Sequence, residues 1–206
     1  DRTLPYVERV VEVVNVLGYT DRVIISAFDH RLLKQVKMLD ASIKVGALTM
    51  PSNFSNTATF KLLCKYLPDG KPLLGITAGD LSAIPPDALG RNTVDISGPS
   101  PAFVVAELAN QIGAVYPDCT LSQVADFLSA QNNLPQYLAG LDFKVDFLHC
   151  HYSTLFCMPE LISQLSGMGI RCSPWTPDRP AELELLAGKG CYSIITNRPD
   201  LLKNFI

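Results

Sequence analysis

Two histidines, His149 and His151, stand two positions apart in an apolar segment of the last third of the chain, and Cys157 follows a few residues later. Side chains two apart on an extended strand project to the same side, and zinc is commonly bound by histidine and cysteine. A transition-metal site is conceivable, but three ligands at irregular spacing form a weak pattern. A structural hydrogen bond explains His151 more simply than catalysis does, and we predict neither a metal ligand nor a catalytic residue here.

Other polar residues near predicted strand ends have structural explanations. The position of His30 at the start of a helix indicates a structural role, and Asp178 is placed to cap the helix that begins at Pro180. Ser26 and Phe28 end an apolar segment, where core packing is the simpler interpretation than exposure at the mouth of a site. Two lysines on an amphipathic helix are interpreted as solvated charges: Lys34 and Lys37.

The elements that must position these residues are buried strands that alternate with helices. Nearly continuous apolar runs are typical of strands that are covered on both faces. Five such runs occur: 22–28, 43–48, 145–149, 170–173 and 192–196. Amphipathic helices are predicted between most of them, and the alternation of strand and helix implies parallel pairing with right-handed crossovers.

The middle of the chain, residues 49–143, is less regular than the rest. It contains a stretch rich in Gly, Pro, Asp and Ser at 78–100, which predicts a loop. A helix is predicted to begin at Thr120, because Gln123 lies three residues later at the spacing of a capping box. We interpret 49–143 as a helical elaboration inserted between two strands of one domain that covers 1–206.

Composition limits the class of protein. The chain has 206 residues, of which 48% are apolar and 18% charged, so a well-packed globular domain is expected. A net charge of -3 gives no broad electrostatic surface for nucleic acid. Since no apolar run approaches the roughly 18–20 residues that span a bilayer, we expect a soluble protein, with the cytoplasm as one candidate compartment. The chain begins with Asp1, and we expect further sequence upstream of it.

Four segments of the chain form a set of motifs: YTDRVIISAFDHRLL at 19–33, VDFLHCHY at 145–152, IRCSPWT at 170–176 and IITNRPDLL at 194–202. Together they resemble the glycerophosphodiester phosphodiesterase family. Segment 19–33 is similar to the family's fourth strand and helix, and the other three correspond to "NPHY", "WTVN" and "GIITDRPDLL". The resemblance covers about 1–48 and 144–206.

The resemblance implies a fold of the (β/α)8 TIM-barrel type. A full barrel usually has about 250 residues, and only about strands four to eight have counterparts here. We therefore expect an incomplete barrel. The family's "HRG" histidine, its "ExDV" carboxylates, its second histidine in "HD" and its "ExK" glutamate have no counterpart in this sequence.

The implied activity is the metal-dependent hydrolysis of glycerophosphodiesters, small-molecule substrates of lipid metabolism, to glycerol 3-phosphate and an alcohol. The resembled enzymes use a divalent cation, Mg²⁺ or Ca²⁺, whose ligands would lie outside these 206 residues together with the catalytic histidine pair. The isolated chain is consequently expected to be inactive.

The resemblance also implies two substrate-binding residues. Trp175, the only tryptophan, corresponds to a residue of the wall that meets the glycerol or alcohol moiety, although packing at the rim would also explain it. His149 stands where the family has asparagine, and Cys150 replaces the family's proline. No residue of this chain is predicted to be catalytic.

Two other interpretations remain open. The chain could be a catalytically inactive, barrel-derived binding or structural protein, in which residues 49–143 repair the open sheet or form a partner surface. It could also be another phosphate-binding barrel, although no glycine-rich phosphate loop lies near its last strands. In an incomplete barrel the strand at 22–28 would have a free edge, which predicts self-association.

Overall fold

A computed structural model describes residues 4–50, 65–67, 76–82, 84–85, 110 and 112–206. The chain divides into two compact units, one formed by residues 1–53 and 133–206 and the other by residues 54–132. Much of the predicted elaboration, including 51–64, 68–75 and 86–109, lies outside the described residues.

The first unit is built on a four-stranded parallel sheet with strand order β1-β2-β3-β4. The strands are β1 (Ile24–Ala27), β2 (Lys44–Thr49), β3 (Phe147–Cys150) and β4 (Arg171–Cys172). Each lies within a run that the sequence analysis predicted as a strand, apart from single-residue extensions at the carboxyl ends of β2 and β3. The mixed α/β class with parallel strands is therefore confirmed, and the arrangement is consistent with part of a TIM-like barrel.

The helices that the structure describes follow the strands in the expected alternation. In chain order they are α1 (Leu4–Val16), α2 (His30–Leu39), α3 (Ala78–Leu81), α4 (Leu121–Ala130), α5 (Leu134–Ala139), α6 (Thr154–Cys157), α7 (Leu161–Gly167), α8 (Pro180–Ala187) and α9 (Pro199–Leu202). Of these, α3 and α4 belong to the second unit. Within the described residues, no helix combines the length and the apolar character that crossing a membrane requires.

The two faces of the sheet carry different side chains, because successive residues of a strand point to opposite sides. One face packs against the helices in a continuous apolar core that includes Val45, Ala47, Leu148, Cys150 and Cys172 from the sheet. Helices α1, α2, α7 and α8 supply the opposing residues Val7, Val11, Leu33, Val36, Leu161, Leu165 and Leu186. The other face, which we call the inner face, carries Ser26, Gly46, His149 and Ser173 beside the apolar residues Ile24, Leu48 and Phe147, and its polar residues position the candidate site.

Local sequence signals explain where the elements begin and end. Asp29 caps α2, since its side chain accepts a hydrogen bond from the backbone N–H of Arg31. The turn between α7 and β4 contains Gly169 at a φ of 71°, a backbone conformation that favours glycine. The described cysteines are free thiols, and the Sγ atoms of Cys150 and Cys172 lie 3.9 Å apart in the core.

Lys37 corrects one expectation from the sequence. Its ammonium lies 2.7 Å from Asp146 Oδ2, and the two side chains are only 10% and 16% exposed. Lys37 also donates to the carbonyl of Ile43, while Asp146 accepts the backbone N–H of Val45. The lysine is therefore a partly buried clamp between α2 and the amino ends of β2 and β3, whereas Lys34 forms an exposed pair with Asp142.

The predicted strand at 192–196 is reduced to one parallel bridge between Trp175 and Ile195. Along β4 and beyond it, alternate backbone N–H groups donate to β3, as those of Ser173 and Trp175 do. The N–H groups between them would face the next segment, but residue 174 is a proline and has none to donate. The ladder is consequently interrupted, and only Tyr192 and Ile195 donate back, to the carbonyls of Cys172 and Pro174.

The second unit confirms one local prediction. Thr120 caps α4, and its side chain and that of Gln123 each accept the other's backbone N–H in a capping box. The predicted loop at 78–100 instead begins with the short helix α3, which Thr77 and Asp80 cap in the same way.

Candidate functional site

The candidate site lies at the carboxyl ends of the parallel strands of the first unit. Parallel strands end at the same edge of a sheet, which is where ligand sites of α/β folds occur. Polar and aromatic side chains meet there from three parts of the chain: Ser26 and Phe28 at β1, His149 and His151 at β3, and Trp175 beyond β4. This group is called the strand-end cluster below.

Trp175 joins the parts of the cluster. Its indole N–H donates to the backbone carbonyl of His149, 2.8 Å away. Its ring makes T-shaped contacts with Phe28, at 5.8 Å between centroids, and with His151, at 5.1 Å. Because the tryptophan is half-buried with its polar atom satisfied, it forms a rigid aromatic wall that leaves part of the ring open to a ligand.

His149 is the most enclosed polar residue of the cluster, with a side chain that leans across β2. Its Nδ1 lies 2.9 Å from Ser26 Oγ, and its ring centroid lies 5.9 Å from that of Phe147. The residue is 7% exposed, and burial lowers the pKa of His149. The imidazole is therefore held neutral at pH 7 and acts as a hydrogen-bonding group rather than as a cation.

His151 makes the structural hydrogen bonds that the sequence analysis favoured. Its Nδ1 accepts from the hydroxyl of Ser153 at 2.8 Å and from the Ser153 backbone N–H at 3.3 Å. Its ring also stacks in a tilted geometry on Tyr152, whose hydroxyl donates to Glu182. Burial lowers the pKa of His151, and the nearby Glu182 carboxylate acts in the opposite direction.

His30 fixes the end of β2 from behind the cluster. Its Nε2 lies 2.9 Å from the carbonyl of Leu48, and its Nδ1 lies 2.7 Å from the hydroxyl of Tyr137. A neutral ring satisfies both contacts when Nε2–H donates to Leu48 and the phenol donates to Nδ1. Burial lowers the pKa of His30 and raises that of Tyr137. The predicted structural role is consistent with this geometry, but the part played by Tyr137, 107 residues away, had no signal in the sequence.

Asp178 does not cap α8, which corrects the prediction from the sequence. The residue at the cap of α8 is Arg179. The carboxylate of Asp178 instead accepts from the Thr196 hydroxyl and from the backbone and side-chain nitrogens of Asn197. These bonds, the Asn197 side chain first, lower the pKa of Asp178. The aspartate thus ties the loop after Trp175 to the last segment of the chain.

Two other residues differ from their expected roles. Ser26 and Phe28 were interpreted as core residues, but Ser26 is exposed on the inner face and contacts His149, while Phe28 contacts Trp175. Both residues lie in segment 19–33, which resembles the family, but the resemblance implied no binding role for them. Their contribution depends on which strands neighbour each other, which the sequence did not show.

The cluster does not fit a metal ion by its own residues. In the part of the chain that the structure describes, no group of three or more histidine, cysteine, aspartate or glutamate side chains is arranged to hold one. The carboxylate of Asp178 is occupied by Thr196 and Asn197. We therefore derive no metal-dependent step from the residues of this chain.

Comparisons with known proteins find relatives by structure but none by sequence. No protein-family model matches the sequence, and no curated protein matches it. The fold is similar to the crystal structure of a putative glycerophosphoryl diester phosphodiesterase from Silicibacter pomeroyi DSS-3, with a TM-score of 0.53 and 16% sequence identity. The match covers 97% of this chain and 42% of that one. At this identity the comparison shows a shared fold, and this chain spans less than half the length of its structural relative.

Proposed function

We propose that this chain forms part of the substrate-binding wall of a glycerophosphodiester phosphodiesterase with a (β/α)8 barrel. The strand-end cluster supplies Trp175 and His149 to that wall. The catalytic histidine pair and the carboxylates that bind a divalent cation, Mg²⁺ or Ca²⁺, lie outside this sequence in the proposal. The support is the shared fold with a phosphodiesterase-like structure together with the strand-end motifs.

The single observation that carries the proposal is the hydrogen bond from Trp175 to the carbonyl of His149. It holds the ring of Trp175 against the backbone of His149, whose neutral imidazole lies on the inner face, at the edge of the sheet where active sites of such folds occur. An aromatic face with hydrogen-bonding neighbours suits a polyol or alcohol group rather than the charged phosphate.

The proposed reaction divides the chemistry between parts of the enzyme. Hydrolysis of a phosphodiester requires stabilisation of the nonbridging oxygens, which a bound divalent cation supplies, and proton transfers to and from the attacking and leaving oxygens. The residues of this chain bind and orient the glycerol or alcohol moiety against Trp175. Correct orientation of the scissile bond is itself a large part of catalysis.

The test uses the fact that Trp175 is the only tryptophan, so that intrinsic fluorescence reports on the wall directly. Titration of the 206-residue chain with glycerol 3-phosphate should change the emission in a saturable way. Two variants accompany the titration. Asp178→Asn retains the fluorophore, whereas Trp175→Phe removes it and so shows that the emission originates at Trp175. A linear or absent response would contradict the proposal.

A hydrolysis assay tests whether the catalytic residues lie outside this chain. The 206-residue chain should release no glycerol 3-phosphate from glycerophosphocholine with Mg²⁺ or Ca²⁺ present, whereas the full-length natural product should do so and should lose the activity on chelation. Metal-dependent release by the isolated chain would show that the catalytic residues are within it, against the proposal.

A second candidate, an inactive barrel-derived binding protein, is favoured by one observation. Apolar residues in the second half of α1 and directly after it are exposed: Val13 (41%), Val16 (79%) and Leu17 (58%). Patches of this kind mark interaction surfaces. The hydrolysis assay on the full-length product distinguishes the two candidates, because only the enzyme releases product.

A further inference from the structure

The inner face of the sheet contains a contact between two strands that are not neighbours. Ser26 on β1 and His149 on β3 are 123 positions apart, and their Oγ and Nδ1 atoms are separated by 2.9 Å. Strand β2 runs between them. Side chains of strands one and three of a sheet meet only when the residue between them leaves the space empty.

Gly46 of β2 provides that space. A Cβ atom at this position would lie 2.7 Å from Cε1 of His149, 2.8 Å from Ser26 Oγ and 2.9 Å from His149 Nδ1. Real Cβ atoms essentially never approach other atoms within 3.0 Å. The hydrogen bond between Ser26 and His149 therefore depends on glycine at position 46.

The second ring nitrogen of His149 has no hydrogen-bond partner among the described residues, whereas Nδ1 has Ser26. The fully buried side-chain atoms without partners in that part of the chain are on Gln35, Thr49 and Thr154, and Nε2 is not one of them. The residue as a whole is 7% exposed, so any contact with a ligand would be made through this small open part.

The surroundings of this nitrogen favour a neutral ligand group. Burial lowers the pKa of His149, and none of the charged residues that the structure describes opposes this shift. A neutral imidazole has one N–H and one acceptor nitrogen, and the hydrogen bond made by one nitrogen determines the role of the other.

We propose that Ser26 is a positioning residue for His149: its hydroxyl donates to Nδ1, places the ring hydrogen on Nε2, and directs Nε2–H to a hydroxyl oxygen of the substrate's glycerol moiety. The ligand part of this inference rests on the proposed function, while the part about Ser26 and the ring hydrogen does not. Gly46 is required because it admits both side chains.

The first experiment measures the tautomer of His149 by nitrogen NMR of the 206-residue chain with ¹⁵N-labelled histidine. The wild type should show an Nδ1 acceptor and an Nε2–H donor at neutral pH. Ser26→Ala should shift this balance, and Ser26→Thr, which retains a hydroxyl, should restore it. Ser193→Ala is the matched control, because its hydroxyl donates to Ser173 rather than to a histidine. A wild-type ring with hydrogen on Nδ1, or an unchanged ring in Ser26→Ala, would overturn the positioning role.

The second experiment compares two ligands by Trp175 fluorescence: glycerol 3-phosphate and n-propyl phosphate, which has the same chain length but no hydroxyl groups. One neutral hydrogen bond should make glycerol 3-phosphate bind about two- to tenfold more tightly. Ser26→Ala should lose most of this preference, and Ser26→Thr and Ser193→Ala should keep it. A preference that survives in Ser26→Ala contradicts the inference.

The two possible failures are distinguishable. Equal binding of both phosphates by the wild type overturns the hydroxyl contact but leaves the proposed function in place. No binding of either phosphate overturns the ligand part and the proposed function together, while the NMR result still decides the role of Ser26.

The glycine requirement has its own test. Gly46→Ala should disturb the His149 ring signals and destabilise the fold, whereas Gly188→Ala, at a position with no atom within 4 Å of the added Cβ, should do neither. Unchanged His149 signals in Gly46→Ala would contradict the proposed packing.

Discussion

The indole N–H of Trp175 donates to the carbonyl of His149 at 2.8 Å. The backbone of the same tryptophan is hydrogen-bonded to Cys150 and Tyr152, the residues before and after His151. The side chain and the backbone of one residue thus fasten the loop after β4 to the end of β3. The wall of the candidate site is rigid because the strand that carries it and the loop that faces it are hydrogen-bonded together.

Replacing this tryptophan with phenylalanine should separate the contribution of its hydrogen bond to stability from the contribution of its aromatic ring. Trp175→Phe keeps an aromatic ring against Phe28 and His151 but removes the donor, so the free energy of unfolding should fall by about 1 kcal/mol. Urea denaturation followed by circular dichroism measures it. Tyr192→Phe, at a residue that is 58% exposed, should change stability by less than about 0.5 kcal/mol. Equal effects of the two variants would show that the Trp175 bond contributes nothing.

Removing the lysine from the ion pair between Lys37 and Asp146 should lower the free energy of unfolding more than removing it from the exposed pair between Lys34 and Asp142. Lys37→Met leaves the partly buried carboxylate of Asp146 with the 78% exposed Lys144, 3.8 Å away, as its remaining cationic neighbour among the described residues, and the free energy of unfolding should fall by about 2 kcal/mol. Lys34→Met removes the exposed pair with Asp142 and should cost less than about 1 kcal/mol. Both values come from the same denaturation experiment. A Lys37→Met variant as stable as Lys34→Met would contradict the described packing.

Stability should depend on pH through the buried histidines. Burial lowers the pKa of His30, His149 and His151 in the folded protein, whereas a histidine of the unfolded chain titrates near pH 6.5. The unfolded state therefore binds more protons below about pH 6.5, and the free energy of unfolding falls as the pH decreases from 7 towards 5.

A variant identifies the contribution of the most enclosed ring. His30→Gln should be less stable than the wild type at pH 7 by about 1–2 kcal/mol, because its contacts with Leu48 and Tyr137 change. Its stability should then vary less with pH between 7 and 5. Parallel pH profiles of the two proteins would indicate that His30 is not held neutral by burial.

The free edge of β1 and the exposed apolar residues at the end of α1 lead to a prediction about association. We expect the 206-residue chain to self-associate, because β1 has one edge without a strand partner among the described residues and because Val13, Val16 and Leu17 are exposed on the same unit. Light scattering at increasing concentration should show dimers or larger species. Leu17→Glu should shift the distribution towards monomer.

A control and a contrary result accompany this prediction. Met38→Glu introduces the same charge at a residue of α2 that is 77% exposed, and it should leave the association unchanged. A wild-type chain that remains a monodisperse monomer at all concentrations would count against an interaction surface at β1.

The sequence predicted the positions of the strands more readily than how these segments pair with one another. The runs at 22–28, 43–48, 145–149 and 170–173 each contain a strand, as their apolar composition predicts. Burial on both faces does not hold for β1, however, because Ile24 and Ser26 are exposed on the inner face. The run at 192–196 has the same composition but forms one bridge. Its pairing is limited because Pro174 in the neighbouring segment has no N–H to donate. The apolar periodicity of a segment does not show which hydrogen-bond donors the neighbouring segment offers.

The candidate site was predictable only in part for the same reason. Trp175 and His149 could be selected from motifs along the chain. The contact between His149 and Ser26 depends on strand order, on register and on the absence of a side chain at Gly46, which are properties of the assembled sheet. Likewise, the role of Lys37 became visible only when α2 was placed against the start of β3.

The most direct test of the central claim is a fluorescence titration of the 206-residue chain with glycerol 3-phosphate. We expect a saturable change in Trp175 emission below about 10 mM, a range in which a ligand with a Kd near 1 mM is largely bound. We also expect that inorganic phosphate at the same concentrations produces a smaller change, because the wall contacts the glycerol moiety. An emission spectrum that glycerol 3-phosphate leaves unaltered would contradict the proposal that this chain carries the substrate-binding wall.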